Sequence, residues 1–148
     1  MSVLLVSPKD KGNTYDVLRF IKNNSDAELL VIGQNKICNL KKYETIIICS
    51  GVYGGNLHKN LRRWLVQLDK SSMYENVKIY VFLTWIGRGR SDETSIRKVK
   101  HILEKNDIDL EDDYITCFGE MAKIRYNHPN KEDCQKVLNW VKSKNEFK

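Results

Sequence analysis

The chain has 148 residues, 41% of them apolar, and its 25 basic and 19 acidic side chains leave a formal charge of +6. That length supports one domain spanning 1–148 with a core of its own, and the composition is that of a globular protein with a basic bias. No apolar run approaches the roughly 20 residues that cross a bilayer, and no basic-aromatic motif supports nucleic-acid binding.

The N-terminal Met1-Ser2-Val3-Leu4-Leu5-Val6 enters an apolar run without a basic leader, so residues 3–6 read as a strand rather than a secretory signal, and a cytoplasmic location is expected. Ser7-Pro8-Lys9-Asp10-Lys11-Gly12-Asn13-Thr14 follows it. A short turn of this kind between a strand and a helix holds a phosphate against free backbone N–H groups. The Ser7 and Thr14 hydroxyls, the Asn13 amide and the backbone around Gly12 suit one terminal phosphate. Lys9 and Lys11 either add attraction or are solvated surface. The turn lacks both the GxxxxGK[ST] and the GxGxxG patterns, which argues against a nucleoside triphosphate or a dinucleotide. Asn13 is expected to cap a helix whose sheet-facing stripe is Val17, Leu18 and Ile21.

A second strand is expected over 28–32. Residues 33–44 then hold Ile37 and Leu40 without a long amphipathic period, which predicts a short helix or a single turn there, a shortened connection. A third strand over 45–49 leads into Ser50-Gly51-Val52-Tyr53-Gly54-Gly55-Asn56. The glycines allow close backbone approach and positive φ, and Tyr53 either covers a flat ring or sits on a tight surface turn. A helix over about 57–68 places Leu57, Leu61, Trp64, Leu65 and Leu68 on one face. A fourth strand over 77–83 is followed by Thr84-Trp85-Ile86-Gly87-Arg88-Gly89-Arg90, a loop whose indole is a second aromatic wall or a cap on the domain end.

The next helix begins near Asp92 and buries Ile96, Val99, Ile102 and Leu103. A fifth strand covers 114–118. After His128-Pro129-Asn130 comes a last helix, with Asn130 as N-cap, Asp133 at its third position, and Cys134, Val137, Leu138 and Val141 as its stripe. Several strands are nearly continuous in Val, Ile and Leu, as when both sheet faces are covered, and strands alternating with helices imply a three-layer parallel α/β sandwich. Cys38, Cys49, Cys117 and Cys134 form no Cys-x-x-Cys pair and have no histidine at zinc-site spacing. Cys49 and Cys117 read as small buried hydrophobes.

In an open parallel sheet, ligands sit beyond the carboxyl ends of the strands, where all three loops fall. The first loop, ending in Gly12-Asn13-Thr14 after Ser7, resembles the phosphate turn of the flavodoxin family. Ile47-Ile48-Cys49-Ser50-Gly51-Val52-Tyr53-Gly54-Gly55-Asn56 is similar to that family's strand and ring-binding loop. So is the run 77–84 followed by Gly87 to its next strand and loop, and Cys117-Phe118-Gly119 with His128-Pro129-Asn130 to its closing segment. The resemblance implies a five-stranded parallel sheet of order 2-1-3-4-5 and noncovalent FMN. It assigns the phosphate to Ser7, Gly12, Asn13 and Thr14. It places the isoalloxazine between the backbones of Gly51, Val52, Tyr53, Gly54, Gly55 and Asn56 and of Thr84, Trp85, Ile86, Gly87 and Gly89, with Tyr53 or Trp85 against the ring.

The implied function is FMN-dependent electron transfer between redox proteins, with the 51–56 loop tuning the semiquinone through a Gly54-Gly55 backbone group at flavin N5. The alternatives are an NAD(P)H-dependent reductase of a quinone or other small acceptor, and a binding protein with a degenerate site. Two departures are specific to this chain. Pro8-Lys9-Asp10-Lys11 replaces a hydroxyl-rich stretch, and Trp85-Ile86 is bulkier than the small residues usual there. The basic balance is also unusual for such carriers. Lys59, Arg62, Arg63, Arg88 and Arg90 either ring the cofactor mouth and steer an acidic redox partner, or bind the phosphate of a nicotinamide donor, or belong to a generally solvated surface.

Overall fold

The computed structural model describes residues 2–34, 39–120 and 127–144. Its strands are β1 (Ser2–Ser7), β2 (Glu28–Val31), β3 (Tyr43–Gly51), β4 (Lys78–Trp85) and β5 (Tyr114–Phe118). Its α-helices are α1 (Asn13–Asn23), α2 (Lys59–Val66), α3 (Ser91–Glu104) and α4 (Lys131–Ser143). All strand pairs are parallel, in the order β2-β1-β3-β4-β5. This is the flavodoxin-like three-layer sandwich, and the order puts the reversal of direction between β1 and β3. Crevices form at such a reversal because the connections leaving the two strands diverge to opposite faces.

The alternation of side chains along each strand explains why both faces are apolar. Leu4 and Val6 of β1, Ile46 and Ile48 of β3, and Ile79, Val81 and Leu83 of β4 point to one face. There they pack under Leu61 and Leu65 of α2 and Val99 and Leu103 of α3. Val3, Leu5, Ile47, Cys49 and Phe82 point to the other, under Val17, Leu18 and Ile21 of α1 and Val137, Leu138 and Val141 of α4. Each such fully buried aliphatic side chain contributes about 1.5–3 kcal/mol relative to exposure. Cys49 and Cys117 are buried free thiols within the second cluster.

Two details differ from the expected pattern, and a third, the connection after β2, takes the single-turn form of it. Asn13 is the first residue of α1 and does not cap it; Gly12 takes the cap position at φ 97°, and no side chain caps the turn. The reason is that the Asn13 amide is used elsewhere, donating to the Glu120 carbonyl at 2.9 Å. Thr84 and Trp85 lie in strand rather than loop, because Gly51 of β3 and Phe118 of β5 extend the pairing to them. In the connection after β2, residues 32–34 turn and Leu40 bridges to Met73, with no helix among its described residues. Ile37 and Cys38 lie outside the described residues, as does Tyr126. The α4 start is as read, with a reciprocal capping box between Asn130 and Asp133.

Candidate functional site

The C-terminal ends of β1, β3, β4 and β5 surround a cleft of about 320 Å³. It is lined by Lys9, Gly12, Asn13 and Thr14 from the first loop, Gly51, Val52 and Tyr53 from the second, and Thr84, Trp85 and Ile86 from the third, together with Gly119 and Glu120. The loops are cross-tied. Val52 N–H donates to the Thr84 carbonyl at 3.1 Å, and Gly119 N–H to the Trp85 carbonyl at 2.9 Å. Thr14 and Thr84 share a buried hydroxyl–hydroxyl bond of 2.9 Å, which fastens the first turn of α1 to the end of β4. One hydroxyl of the pair donates to the other, so one O–H hydrogen is left over by this bond.

The remaining residues expected at the site, Ser7, Lys11, Gly54, Gly55, Asn56, Gly87 and Gly89, are not among those that line it. Ser7 is buried beneath it and donates its hydroxyl to the Lys9 carbonyl at 2.7 Å, bending the first loop. Lys11 is exposed. Lys9 arches over Gly12, with its Nζ 3.8 Å from where a Cβ on that glycine would stand. A cation is thereby held at the positive end of a helix whose first-turn N–H groups have no side-chain acceptor.

The second loop closes as a two-residue hairpin. Tyr53 and Asn56 exchange backbone hydrogen bonds of 2.8 and 3.1 Å, while Gly54 and Gly55 have φ of 58° and 77°. Positive φ at both central positions is the type I′ geometry that two glycines permit. Gly55 is pressed against α3, where a Cβ would meet Thr94 Cγ2 at 3.2 Å. Asn56 accepts from Lys98 Nζ at 3.0 Å. The Tyr53 ring folds back over Gly51, where an added Cβ would lie 3.1–3.3 Å from ring atoms. Gly87 and Gly89, with φ of 78° and 62°, turn the chain between Ile86 and α3.

Two lining residues lie outside the set expected from the sequence. Gly119 must be glycine-small because the Asn13 side chain crosses it, with Nδ2 only 2.6 Å from a Cβ position. Its neighbour Glu120 provides the carbonyl that holds Asn13. The Gly after the fifth strand was the only available signal. His58 caps α2, its Nδ1 accepting from Asn60 N–H at 3.1 Å, and its ring stands edge-on to Tyr53 at 5.7 Å. Partial burial, then the charges of Lys9, Lys59 and Arg62, hold its imidazole below the usual histidine range. The thiols take no part. Burial pushes Cys117 up to about 12, and raises Cys49 and Cys134 as well.

A larger cavity of about 560 Å³ opens at the opposite edge of the sheet, beside Glu44, Tyr74, Lys78, Tyr80 and Lys144. Lys144 there is already engaged by Asp113 and by the faces of Tyr80 and Trp140. Strand ends at this edge lack the glycine loops and the open helix start, so size does not make it the better site. Among the described residues no group of histidine, cysteine, aspartate and glutamate is arranged to hold a metal ion, and no helix is long and apolar enough to cross a membrane.

No protein-family model matches the chain, and no curated protein does. Solved structures do match. Oxidised flavodoxin 2 from Bacillus cereus is 17% identical, with a TM-score of 0.65 over 95% of both chains. A flavodoxin from the domain Archaea is 14% identical, with a TM-score of 0.64 over 94% of this chain and 92% of that one. The Trp repressor binding protein from Bacillus subtilis is 12% identical, with a TM-score of 0.64 over 93% and 98%. At these identities the likeness is one of fold, and it agrees with the strand order.

Proposed function

We propose that this protein binds FMN in the three-loop cleft and works as an electron-transfer protein serving a redox partner. One observation carries the reading. A single cleft has an uncapped helix start and a lysine at one end, and Val52, Tyr53, Trp85 and Ile86 at the other. A ligand with a phosphate tail and a flat, largely apolar head matches that division, and the cleft volume falls in the usual range for a bound cofactor. The flavodoxin-like fold supports the same ligand.

In this reading the N–H groups of Asn13 and Thr14, following Gly12, hold the phosphate, and the Lys9 ammonium neutralises it. Ser7 shapes the loop that carries them. The backbones of Gly51 to Asn56 and of Thr84 to Gly89 frame the ring, and Tyr53 and Trp85 exclude water from it. FMN supplies the electron-transfer chemistry when bound. The protein supplies the surroundings that set its potential, and we assign the tuning to the Gly54-Gly55 peptide, whose glycines tolerate backbone conformations of either sign of φ. Free Cys49, Cys117 and Cys134 suit a reducing, cytoplasmic setting.

The test is an absorbance spectrum of purified protein before and after addition of FMN, followed by reduction of the same sample. A bound-flavin spectrum that survives removal of free FMN supports the reading. A colourless protein that retains no FMN overturns it. Bleaching of the bound flavin by NAD(P)H alone would make the protein a reductase rather than a carrier.

A further inference from the structure

We infer that the mouth of the cleft docks an acidic face of a partner protein, with exposed Tyr53 at its centre, Lys9, Lys59 and Arg62 on one side, and Arg88 and Arg90 beyond Trp85 on the other. That the partner is a redox protein rests on the electron-transfer reading; the acidity of its face does not.

Helix α2 opens with Lys59 and continues through Arg62 and Arg63, with no acid in its first turn. By contrast α3 begins with Asp92 and Glu93, and α4 with Glu132 and Asp133. Cations at a helix start oppose the macrodipole, so α2 carries its charges at a cost that a negative surface above them would relieve. Asn60 fastens that helix start to the first loop, donating from Nδ2 to the Pro8 carbonyl at 3.2 Å. Lys9 is thereby brought beside Lys59 and Arg62, and all three act on the His58 ring. None of these three, nor Arg88, has an acid within ion-pair distance among the described residues.

Tyr53 is the independent observation. It is 49% exposed, and only Val66 joins it among exposed large hydrophobic side chains of the described residues. An exposed tyrosine against His58, whose ring feels Lys9, Lys59 and Arg62, has the aromatic and basic composition of an interface centre rather than of ordinary surface. A protein face is favoured over nucleic acid because exposed Asp10 and Glu120 share this rim. Evenly spaced phosphates cannot avoid those two acids, whereas the carboxylates of a folded partner can be placed opposite the cations alone.

The test uses two probes, an acidic [2Fe–2S] ferredoxin and a basic c-type cytochrome, titrated calorimetrically into the whole protein with and without added FMN. The ferredoxin should bind at about 0.01 M ionic strength and be released near 1 M, where the screening length falls from about 30 Å to 3 Å. The cytochrome should not bind. Lys59→Glu with Arg62→Glu should weaken ferredoxin binding on the order of tenfold at low salt, with FMN uptake unchanged and the His58 imidazole titrating higher by NMR. Should that variant misfold, Arg88→Glu with Arg90→Glu takes its place with the same expected loss. Ferredoxin affinity unchanged by charge reversal, a preference for the cytochrome, or displacement of ferredoxin by a single-stranded oligonucleotide at lower concentration would each overturn the docking surface. Charge-dependent ferredoxin binding by a protein that retains no FMN would leave the surface standing and remove the electron-transfer reading instead.

Discussion

Replacing Thr14 or Thr84 by valine removes one partner of the hydroxyl pair that ties α1 to β4. The two oxygens are 2.9 Å apart, and the residues are only 8% and 4% exposed. Valine keeps the shape of threonine, so each single substitution chiefly leaves the surviving hydroxyl buried without its partner. That costs about 1–3 kcal/mol, whereas removing both hydroxyls together is nearly neutral. The double variant should therefore be destabilised by less than the sum of the singles, with a coupling of about 1 kcal/mol or more between contacting residues. For a protein of this size 1 kcal/mol corresponds to roughly 2–4 °C in Tm. Urea unfolding of the wild type, both singles and the double, followed by fluorescence and circular dichroism, completes the cycle. Additive losses in the double variant would refute the reasoning, since they would mean that the two hydroxyls do not satisfy one another.

Further outcomes concern the loops, a cap and a titration. Gly55→Ala puts a Cβ at positive φ and 3.2 Å from Thr94 Cγ2, and should cost about 1–3 kcal/mol by urea unfolding while weakening FMN uptake. Gly54→Asn, with nothing within 4 Å of its Cβ position, should cost far less because asparagine tolerates that turn geometry. Asn130→Ala removes one half of the α4 capping box and should lower stability by about 0.5–2 kcal/mol in the same assay. The His58 imidazole is held below the ordinary histidine value of 6.5, so the unfolded chain takes up the proton first as pH falls. The stability linked to this group is full above the unfolded value and is lost through it down to the folded one. His58→Asn, which keeps an N-cap, should flatten that slope as pH falls through and below the unfolded histidine value, and an unchanged slope would assign it to other groups.

Much of the architecture was legible because it is written in local periodicity. Leu61, Leu65 and Leu68 recur at helical spacing, and β5 was bounded at Tyr114 and Phe118 because its flanks are polar. The Asn130 cap was legible because both halves of the box lie within four residues. Asn13 looked equally suited to capping, yet its amide reaches a carbonyl far along the chain. Trp85 looked like a loop residue because glycines follow it, but pairing with Phe118 of β5 extends β4 through it. In each miss a long-range partner outweighed a local preference.

From the chain alone came the alternation of strands and helices, the apolarity of both sheet faces, and the presence of three glycine-bearing loops after strands. These depend on which side chains stand two, three or four residues apart, and that spacing is fixed by backbone geometry. Tertiary structure alone decided that Thr14 bonds Thr84, that Asn13 crosses Gly119 to reach Glu120, and that Lys9 joins the α2 cations around His58 and Tyr53. Those meetings depend on strand order and register, which bring residues from different loops to one edge of the sheet. Local spacing carries no record of which loop will face which.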